Sequence, residues 1–440
     1  MMLIKTGGNL RERLQKNFPR LKKWIFQTGF AVGDQAVFSG SNFLLSIVLG
    51  RWLSPEEFGR YALGFSFLVV FFQLYVSFLL DPMAVIGQLH YRGKLRAFFA
   101  AHLKSHFLIT SSTCVILLIF MLLLGPNSPF QKVVIAIGIG LPALLLPWYF
   151  RRMFVILGKP GNSFGGSLVY GFTLLILTYL LYEWKFITSQ SAIFAMVIAS
   201  IISSLYFSLT YKIYDYKLLN EPFMVLLIRK WEIGKWLVFS GIFISFASQI
   251  QVWLAGAYFG LASSGIMRAF QVITQPVMLV ITALTALVVP ILTLDFSAAN
   301  YRLYHRKLQL LSLSLLLFAF IFEALLLVFD FQIVRLVYGG KFSNEAYLLP
   351  IWGIIPVILA YSSGLQAGFQ AIKKPVALLI ASIIWFVISS FFGIWFSLQF
   401  GEIGLAWSAV LGYVSFALTL SLLYNAWVYK PYIKIQQGWV

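Results

Sequence analysis

Twelve apolar runs, each close to the length that crosses a lipid bilayer, constrain this chain more than any other feature. A spanning helix rises 1.5 Å per residue and needs about 20 mostly apolar residues to cross about 30 Å of hydrocarbon. The runs are Phe30 to Gly50, Gly59 to Leu80, Leu103 to Leu124, Val133 to Phe150, Phe164 to Leu181, Ser191 to Tyr211, Trp236 to Ala257, Ile266 to Leu292, Leu308 to Val328, Ala346 to Gln370, Val376 to Leu398 and Ile403 to Trp427. A backbone amide in hydrocarbon has no water to bond, so each run is expected to be a helix. Composition agrees, with 60% hydrophobic residues, 11% charged residues and a mean hydropathy of +0.87. A soluble chain with these values would lack the polar surface to cover its interior. The expected fold class is an all-α polytopic membrane protein of about twelve transmembrane helices.

The net charge of +19 would point to nucleic acid if the 33 Lys and Arg were clustered on one surface. They lie between the runs instead. With both termini placed in the cytoplasm, 26 of them fall in cytoplasmic segments. The other seven, Arg51, Arg60, Lys132, Lys185, Arg268, Arg335 and Lys341, fall in outer loops or near outer helix ends. That bias over short loops fixes the expected orientation. The charge is therefore topogenic, membrane lipids are the expected surroundings, and no nucleic-acid partner is expected. Residues Leu10, Leu14, Phe18, Leu21 and Ile25 alternate with Arg11, Arg13, Lys16, Arg20, Lys22 and Lys23. This pattern predicts a helix lying on the inner leaflet, kinked at Pro19. No cleavable signal peptide is expected, because the basic stretch is not followed at once by a short apolar stretch with a small-residue cleavage site.

The two halves repeat. Phe38 to Gly40 returns as Phe239 to Gly241, the pair Gly50 and Gly59 as Gly256 and Gly265, Pro82 as Pro290, and Gly158-Lys159-Pro160 as Lys373-Lys374-Pro375. Six helices per copy keep both copies in one orientation, which places a pseudo-two-fold axis along the membrane normal. The expected organisation is a basic amphipathic segment (1–29), an N-lobe (30–211), a cytoplasmic linker (212–235), a C-lobe (236–428) and a cytoplasmic tail (429–440). The outer loops are short, the longest running from Phe329 to Glu345.

Catalytic readings find little support. Cys114 is the single cysteine, which excludes an internal disulfide and a cysteine-based metal cluster. His102 and His106 have helical metal spacing, but beside Lys104 at a helix end they read as interfacial residues. The stretch from Gly87 to Gly93-Lys94-Leu95 has one residue too many between its glycines for a phosphate loop and no Ser or Thr after the lysine. No Asp-x-Asp pair is present for a nucleotide-sugar metal site. No metal, no cofactor and no enzymatic activity is expected.

Polar residues within the apolar runs carry the remaining information. Gln35, Ser39, Asn42 and Ser46 recur at i, i+4, i+7 and i+11, which places them in one stripe expected to face a cavity or to pack helices together. In the seventh run Gly241, Ser245, Ser248 and Val252 form the corresponding face, with Gln249 and Gln251 beside it. Charges in such helices cost about 2.5 to 3.5 kcal/mol near the bilayer centre and need a partner or a wet cavity. Asp34, Arg268 and Glu323 are the candidates. Arg268, near Gln271 and Gln275, suits a phosphate, which guanidinium binds bidentately. Asp34 and Glu323 suit a charge pair or a coupling cation.

Arg51-Trp52-Leu53-Ser54-Pro55-Glu56-Glu57-Phe58-Gly59 reads as a helix start, with Ser54 as cap, Pro55 in the first turn and Glu57 closing a capping box. Following a run that contains Phe-Ser-Gly-Ser-Asn, it also resembles the polysaccharide-transporter branch, which includes O-antigen flippases, of the multidrug/oligosaccharidyl-lipid/polysaccharide (MOP) flippase superfamily. Val337-Tyr338-Gly339-Gly340-Lys341-Phe342 and Ala371-Ile372-Lys373-Lys374-Pro375 are similar to that branch as well, and the resemblance spans nearly the whole chain. It implies a MATE-like V of two lobes, a central cavity lined by helices one, two, seven and eight, and alternating access without ATP. It further implies a bacterial inner-membrane location and a cargo of polyprenyl-pyrophosphate-linked oligosaccharide for O-antigen, capsule or exopolysaccharide, with a polymerase or glycosyltransferases as partners. A cation-coupled MATE-type exporter of small molecules is the alternative on the same fold. A membrane-embedded envelope enzyme is disfavoured by the lack of a large outer loop or an acid–base constellation.

Overall fold

A computed structural model describes residues 9–91, 93–124, 131–211 and 223–434. Its principal helices are α1 Asn9–Trp52, α2 Pro55–Tyr75, α3 Asp81–His90, α4 Leu95–Leu124, α5 Gln131–Ile156, α6 Pro160–Glu183, α7 Ser189–Tyr211, α8 Phe223–Tyr258, α9 Leu261–Ser297, α10 Tyr301–Tyr338, α11 Leu349–Ala371 and α12 Pro375–Tyr424. A π-helical stretch, Val76–Leu80, joins α2 to α3 within one crossing, and another, Asn425–Lys434, follows α12. Among the described residues eleven helices are long and apolar enough to cross a membrane. One of them is two crossings. A straight 50-residue α12 would be about 75 Å long, more than twice the hydrocarbon thickness. It breaks at Gly401 (φ 63°, ψ −142°), a backbone conformation that glycine enters without a steric cost. The expected seventh and eighth runs are thus α8 and α9, and the eleventh and twelfth are the two limbs of α12.

Three local expectations change. α8 starts at Phe223, so part of the expected linker is helical, while residues 212–222 lie outside the described residues. α10 continues past a kink at Phe329 (φ −122°, ψ 24°) to Tyr338, burying Val334 and Tyr338, which shortens the expected long loop to 339–342. Ser54 caps α2, accepting from Glu57 N at 3.2 Å. Glu57 does not close the box. Its carboxylate accepts from Ser189 N (2.9 Å) and Ser189 Oγ (2.6 Å) and pairs with Arg60, so it caps the unsatisfied amides at the start of α7 instead. The backbone of α1 is helical from Asn9 through Pro19. The side chains through Ile25, expected to form the amphipathic face, lie outside the described residues.

The end at which α1 finishes and α2 begins is here the far side, and the opposite end is the near side. In the first half α1 packs on α6, and α5 packs on α4 and α7. In the second half α8 packs on α12, and α11 on α9, α10 and α12. The halves meet where α2 lies against α8 and α9. On the far side this contact is symmetric. A Cβ on Gly59 would overlap the Leu261 carbonyl oxygen, and a Cβ on Gly265 would sit 2.8 Å from the Pro55 carbonyl oxygen. Each glycine, four residues into its helix, touches the first residue of the other helix, as in an isologous two-fold interface. Beside it Lys341 Nζ donates to the carbonyls of Arg51 (2.8 Å) and Leu53 (2.6 Å) at the end of α1, and Phe342 packs on Phe58.

One apolar core runs from the first half across this far end to Leu326, Tyr338, Leu349 and Leu405. The near part of the second half has a separate core around Ile281, Tyr304, Leu308 and Trp385. Burial changes along α9: residues 263–270 are all buried, whereas beyond Pro276 only the face of Ile281, Thr285 and Val288 is covered and Thr282, Ala283, Leu284, Ala286 and Leu287 are exposed. Pro276 lies between these segments, and a proline inside a helix removes one backbone bond and permits a bend. α8 keeps the halves in register on the near side, where Gly234 abuts the Ser77 carbonyl and Lys230 Nζ donates to Ser105 Oγ at 2.8 Å.

Two outcomes follow. Gly59→Ala should separate the far ends, so a single cysteine placed at Ser264, in a chain with Cys114 replaced by serine, should react faster with an impermeant thiol reagent than in the parent. Equal labelling rates would refute the glycine contact as the far-side seal. Lys230 precedes the crossing that starts at Gly234, and burial pushes it down to about 7. An unfolded lysine titrates near 10.4, so this group makes the folded chain gain stability as pH rises from about 7 towards 10. Lys230→Met should raise Tm at pH 7 and flatten that rise, as thermal unfolding in detergent at pH 7 and pH 9.5 would report.

Candidate functional site

A cavity of about 220 Å³ lies just below the far-side glycine contact. α9 contributes Arg268, Gln271, Thr274 and Gln275, at i, i+3, i+6 and i+7, on one face. α8 contributes Ser248, Gln249 and Gln251, α11 contributes Trp352, and the last crossing contributes Tyr413. No carboxylate lines this cavity. Arg268 is 4% exposed, its guanidinium rests 4.4 Å from the Phe65 ring of α2, and its Nε has no hydrogen-bond partner. Gln249 Oε1, Gln251 Nε2, Gln271 Oε1 and Trp352 Nε1 are also buried without partners. Gln249 and Gln271 hold only Ser248, through its hydroxyl (3.2 Å) and its carbonyl (3.5 Å). Four unpartnered polar atoms, two donors and two acceptors, thus gather around a buried guanidinium without a carboxylate, where buried polar atoms otherwise find partners.

The first half places its charges differently. Asp34 on α1 accepts two bonds from Arg151 Nε, both 3.1 Å, pairs with Arg151 Nη2 at 3.0 Å and accepts from Ser167 Oγ of α6 at 2.5 Å. Arg151 also donates to Gln35 Oε1 (3.0 Å), whose amide donates to Ser39 Oγ (2.8 Å), and it stacks on Phe38 and Trp148. The next residue, Arg152, pairs with Asp81 at 3.0 Å. These groups line a second cavity of about 270 Å³ on the near side, in which each guanidinium has a carboxylate. The expected stripe on α1 divides. Gln35 faces this cavity and Ser39 bonds to it. Asn42 accepts from Tyr170 OH at 3.0 Å, and Ser46 is buried, bonded to the Asn42 carbonyl and 3.5 Å from Tyr61 OH, because α1 is covered there by α6 and α2.

Sequence reasoning placed Arg151 and Arg152 among the loop charges. Their signal was an opposite charge, Asp34, at the matching depth of another run. Trp352 and Tyr413 carry no signal in a chain with 18% aromatic residues. Glu323 is 7% exposed on α10, its Oε2 against Gly353 of α11 and without a partner, and no ion pair to it occurs among the described residues. His106 bridges three helices, with Nδ1 at 2.8 Å from Tyr75 OH and Nε2 at 3.0 Å from the Pro142 carbonyl.

Removing one partner of a buried ion pair costs about 3 to 5 kcal/mol, whereas replacing both with apolar groups is often neutral. Asp34→Leu and Arg151→Met should therefore each lower Tm, and the double variant should recover most of the loss. Additive losses in thermal unfolding would refute the pairing.

No protein-family model and no curated protein matches this sequence. Solved structures do match its fold. An inward-facing multidrug-resistance MATE transporter of the MOP superfamily is similar at a TM-score of 0.73 and 13% identity, covering 90% of this chain and 96% of the other. A MOP superfamily transporter from Pyrococcus furiosus gives 0.68 and 14%, covering 92% and 94%. The lipid II flippase MurJ in an inward closed conformation gives 0.69 and 15%, covering 91% and 87%. The similarity extends over nearly the whole of each chain, and the protein therefore has the MATE-like fold shared by these MOP-superfamily transporters.

Proposed function

We propose that this chain is an alternating-access flippase of the inner membrane that moves a polyprenyl-pyrophosphate-linked oligosaccharide. The supporting observation is the unpaired Arg268 beside four unpartnered buried polar atoms of Gln249, Gln251, Gln271 and Trp352, in a carboxylate-free cavity lined by the second half. A pyrophosphate supplies oxygens to the donors among them, Arg268 Nε, Gln251 Nε2 and Trp352 Nε1, sugar hydroxyls can donate to Gln249 Oε1 and Gln271 Oε1, and guanidinium holds phosphate groups bidentately. The 220 Å³ of this cavity is too small for several sugars, so it would take the pyrophosphate and leave the glycan outside it. Sugars cannot cross hydrocarbon unaided, since each hydroxyl would lose its hydrogen bonds to water.

The near side is read as cytoplasmic from the distribution of Lys and Arg, which places both termini there. The halves, 30–211 and 236–428, are read as lobes that rock about the Gly59 and Gly265 contact, closing the near side as the far side opens. The similarity to a lipid II flippase supports a lipid-linked cargo. One observation favours a second reading, a cation-coupled exporter of small molecules: Glu323 is a buried carboxyl with no counter-ion, placed to take up a cation. That reading predicts dye efflux driven by a proton or sodium gradient, lost in Glu323→Gln.

Arg268→Gln should reduce translocation of a polyprenyl-pyrophosphate-linked sugar in proteoliposomes about 10- to 100-fold, the value of one or two hydrogen bonds to a charged group. Arg268→Lys should retain part of the activity. Tm should stay close to that of the parent, because Arg268 gives up no ion pair. In cells, deletion should leave the glycolipid on the inner leaflet. Undiminished translocation by Arg268→Gln, or normal surface polysaccharide after deletion, would refute the proposal.

A further inference from the structure

The repeat contains the same turn twice, with one instructive difference. α5 passes into α6 at Gly158-Lys159-Pro160, and α11 passes into α12 at Lys373-Lys374-Pro375. Lys159 N donates to the Phe154 carbonyl at 2.9 Å, and Lys374 N to the Phe369 carbonyl at 3.0 Å, each five residues back. φ and ψ are −118° and 55° at Lys159 and −107° and 69° at Lys374. The preceding residue is left-handed in both copies, Gly158 at φ 69° and Lys373 at φ 55°. Glycine adopts that conformation freely, whereas a side chain there is strained. The second copy thus carries a lysine where its own backbone favours glycine.

That lysine opens onto a cavity of about 630 Å³ between the start of α12 and the end of the last crossing. Lys373, Lys374, Trp427, Pro431 and Tyr432 form its walls, and no carboxylate lines it. Lys374 Nζ is held 3.4 Å from the Trp427 carbonyl and 5.8 Å from the indole centroid. Tyr432 is fixed by rings at Phe296 and Tyr301. The cavity sits at the near-side membrane boundary, where Trp and Tyr occupy the headgroup level and lysines meet lipid phosphates.

We propose that this cavity binds the phosphate headgroup of an anionic phospholipid from the near leaflet, with Lys373 and Lys374 on the phosphate and Trp427 and Tyr432 against the glycerol. The lining has two cations and no anion to receive choline or ethanolamine, so it selects an anionic over a zwitterionic lipid. The site is independent of the transported cargo.

Thermal unfolding of the full chain in detergent tests it, with added phosphatidylglycerol, phosphatidylcholine or inorganic phosphate at equal concentration. Phosphatidylglycerol should raise Tm by several degrees, and the other two should not. Lys373→Gly should raise Tm without lipid, by relieving the backbone, yet lose at least half of the phosphatidylglycerol-dependent rise. Lys373→Gly with Lys374→Gln should lose nearly all of it, while Lys159→Gln in the first copy should keep it. An undiminished rise in the double variant would overturn the proposal, as would an equal rise with phosphatidylcholine or with phosphate alone.

Discussion

Hydrocarbon supplies no hydrogen bonds, so each polar group that enters it must find a partner inside the protein. This constraint sets the helical architecture and also accounts for most of the polar side chains. Thr110, Thr178 and Thr285 donate to carbonyls one turn back. Asp34 takes Arg151 and Ser167, and His106 takes Tyr75 and the Pro142 carbonyl. Against this background the group of unsatisfied atoms around Arg268 stands out. A site built for a ligand can leave its donors and acceptors open, because the ligand or water completes them.

The same physics shapes the meeting of the two halves. Without a hydrophobic drive between helices, membrane contacts depend on close backbone approach by small residues. Gly59 and Gly265 provide it on the far side, and Lys341 adds a bridge from the second half to the carbonyl end of α1. On the near side α9 continues past Pro276 with one face in the second core and the other exposed.

Duplication did not produce two equal sites. Each half keeps the glycine at its far end and the same Schellman-type turn on the near side, because those positions are fixed by backbone geometry. The side chains have diverged around them. The first half neutralises its arginines with Asp34 and Asp81, while the second leaves Arg268 unpaired and places Lys373 in a glycine-like slot. The paired charges lock helices together, whereas Arg268 has no carboxylate partner among the described residues.

The sequence by itself determined the crossings. Length and apolarity define each run, and neither depends on which helix is its neighbour. Gly401 marks the turn between the last two, as the gap between the runs at Leu398 and Ile403 required. Arg268, Gln271 and Gln275 line one cavity because helical periodicity alone puts them on one face. Contacts between helices were decided only by the tertiary structure. Asn42 and Ser46 share a stripe with Gln35, yet they pack against Tyr170 and Tyr61, since the neighbours of α1 change along its length. Arg151 read as a loop charge until α5 was seen beside α1. Glu57 fitted a capping box in sequence and reaches Ser189 in space. Periodicity gives the direction of a side chain from its own helix axis, and partners depend on how the axes are assembled.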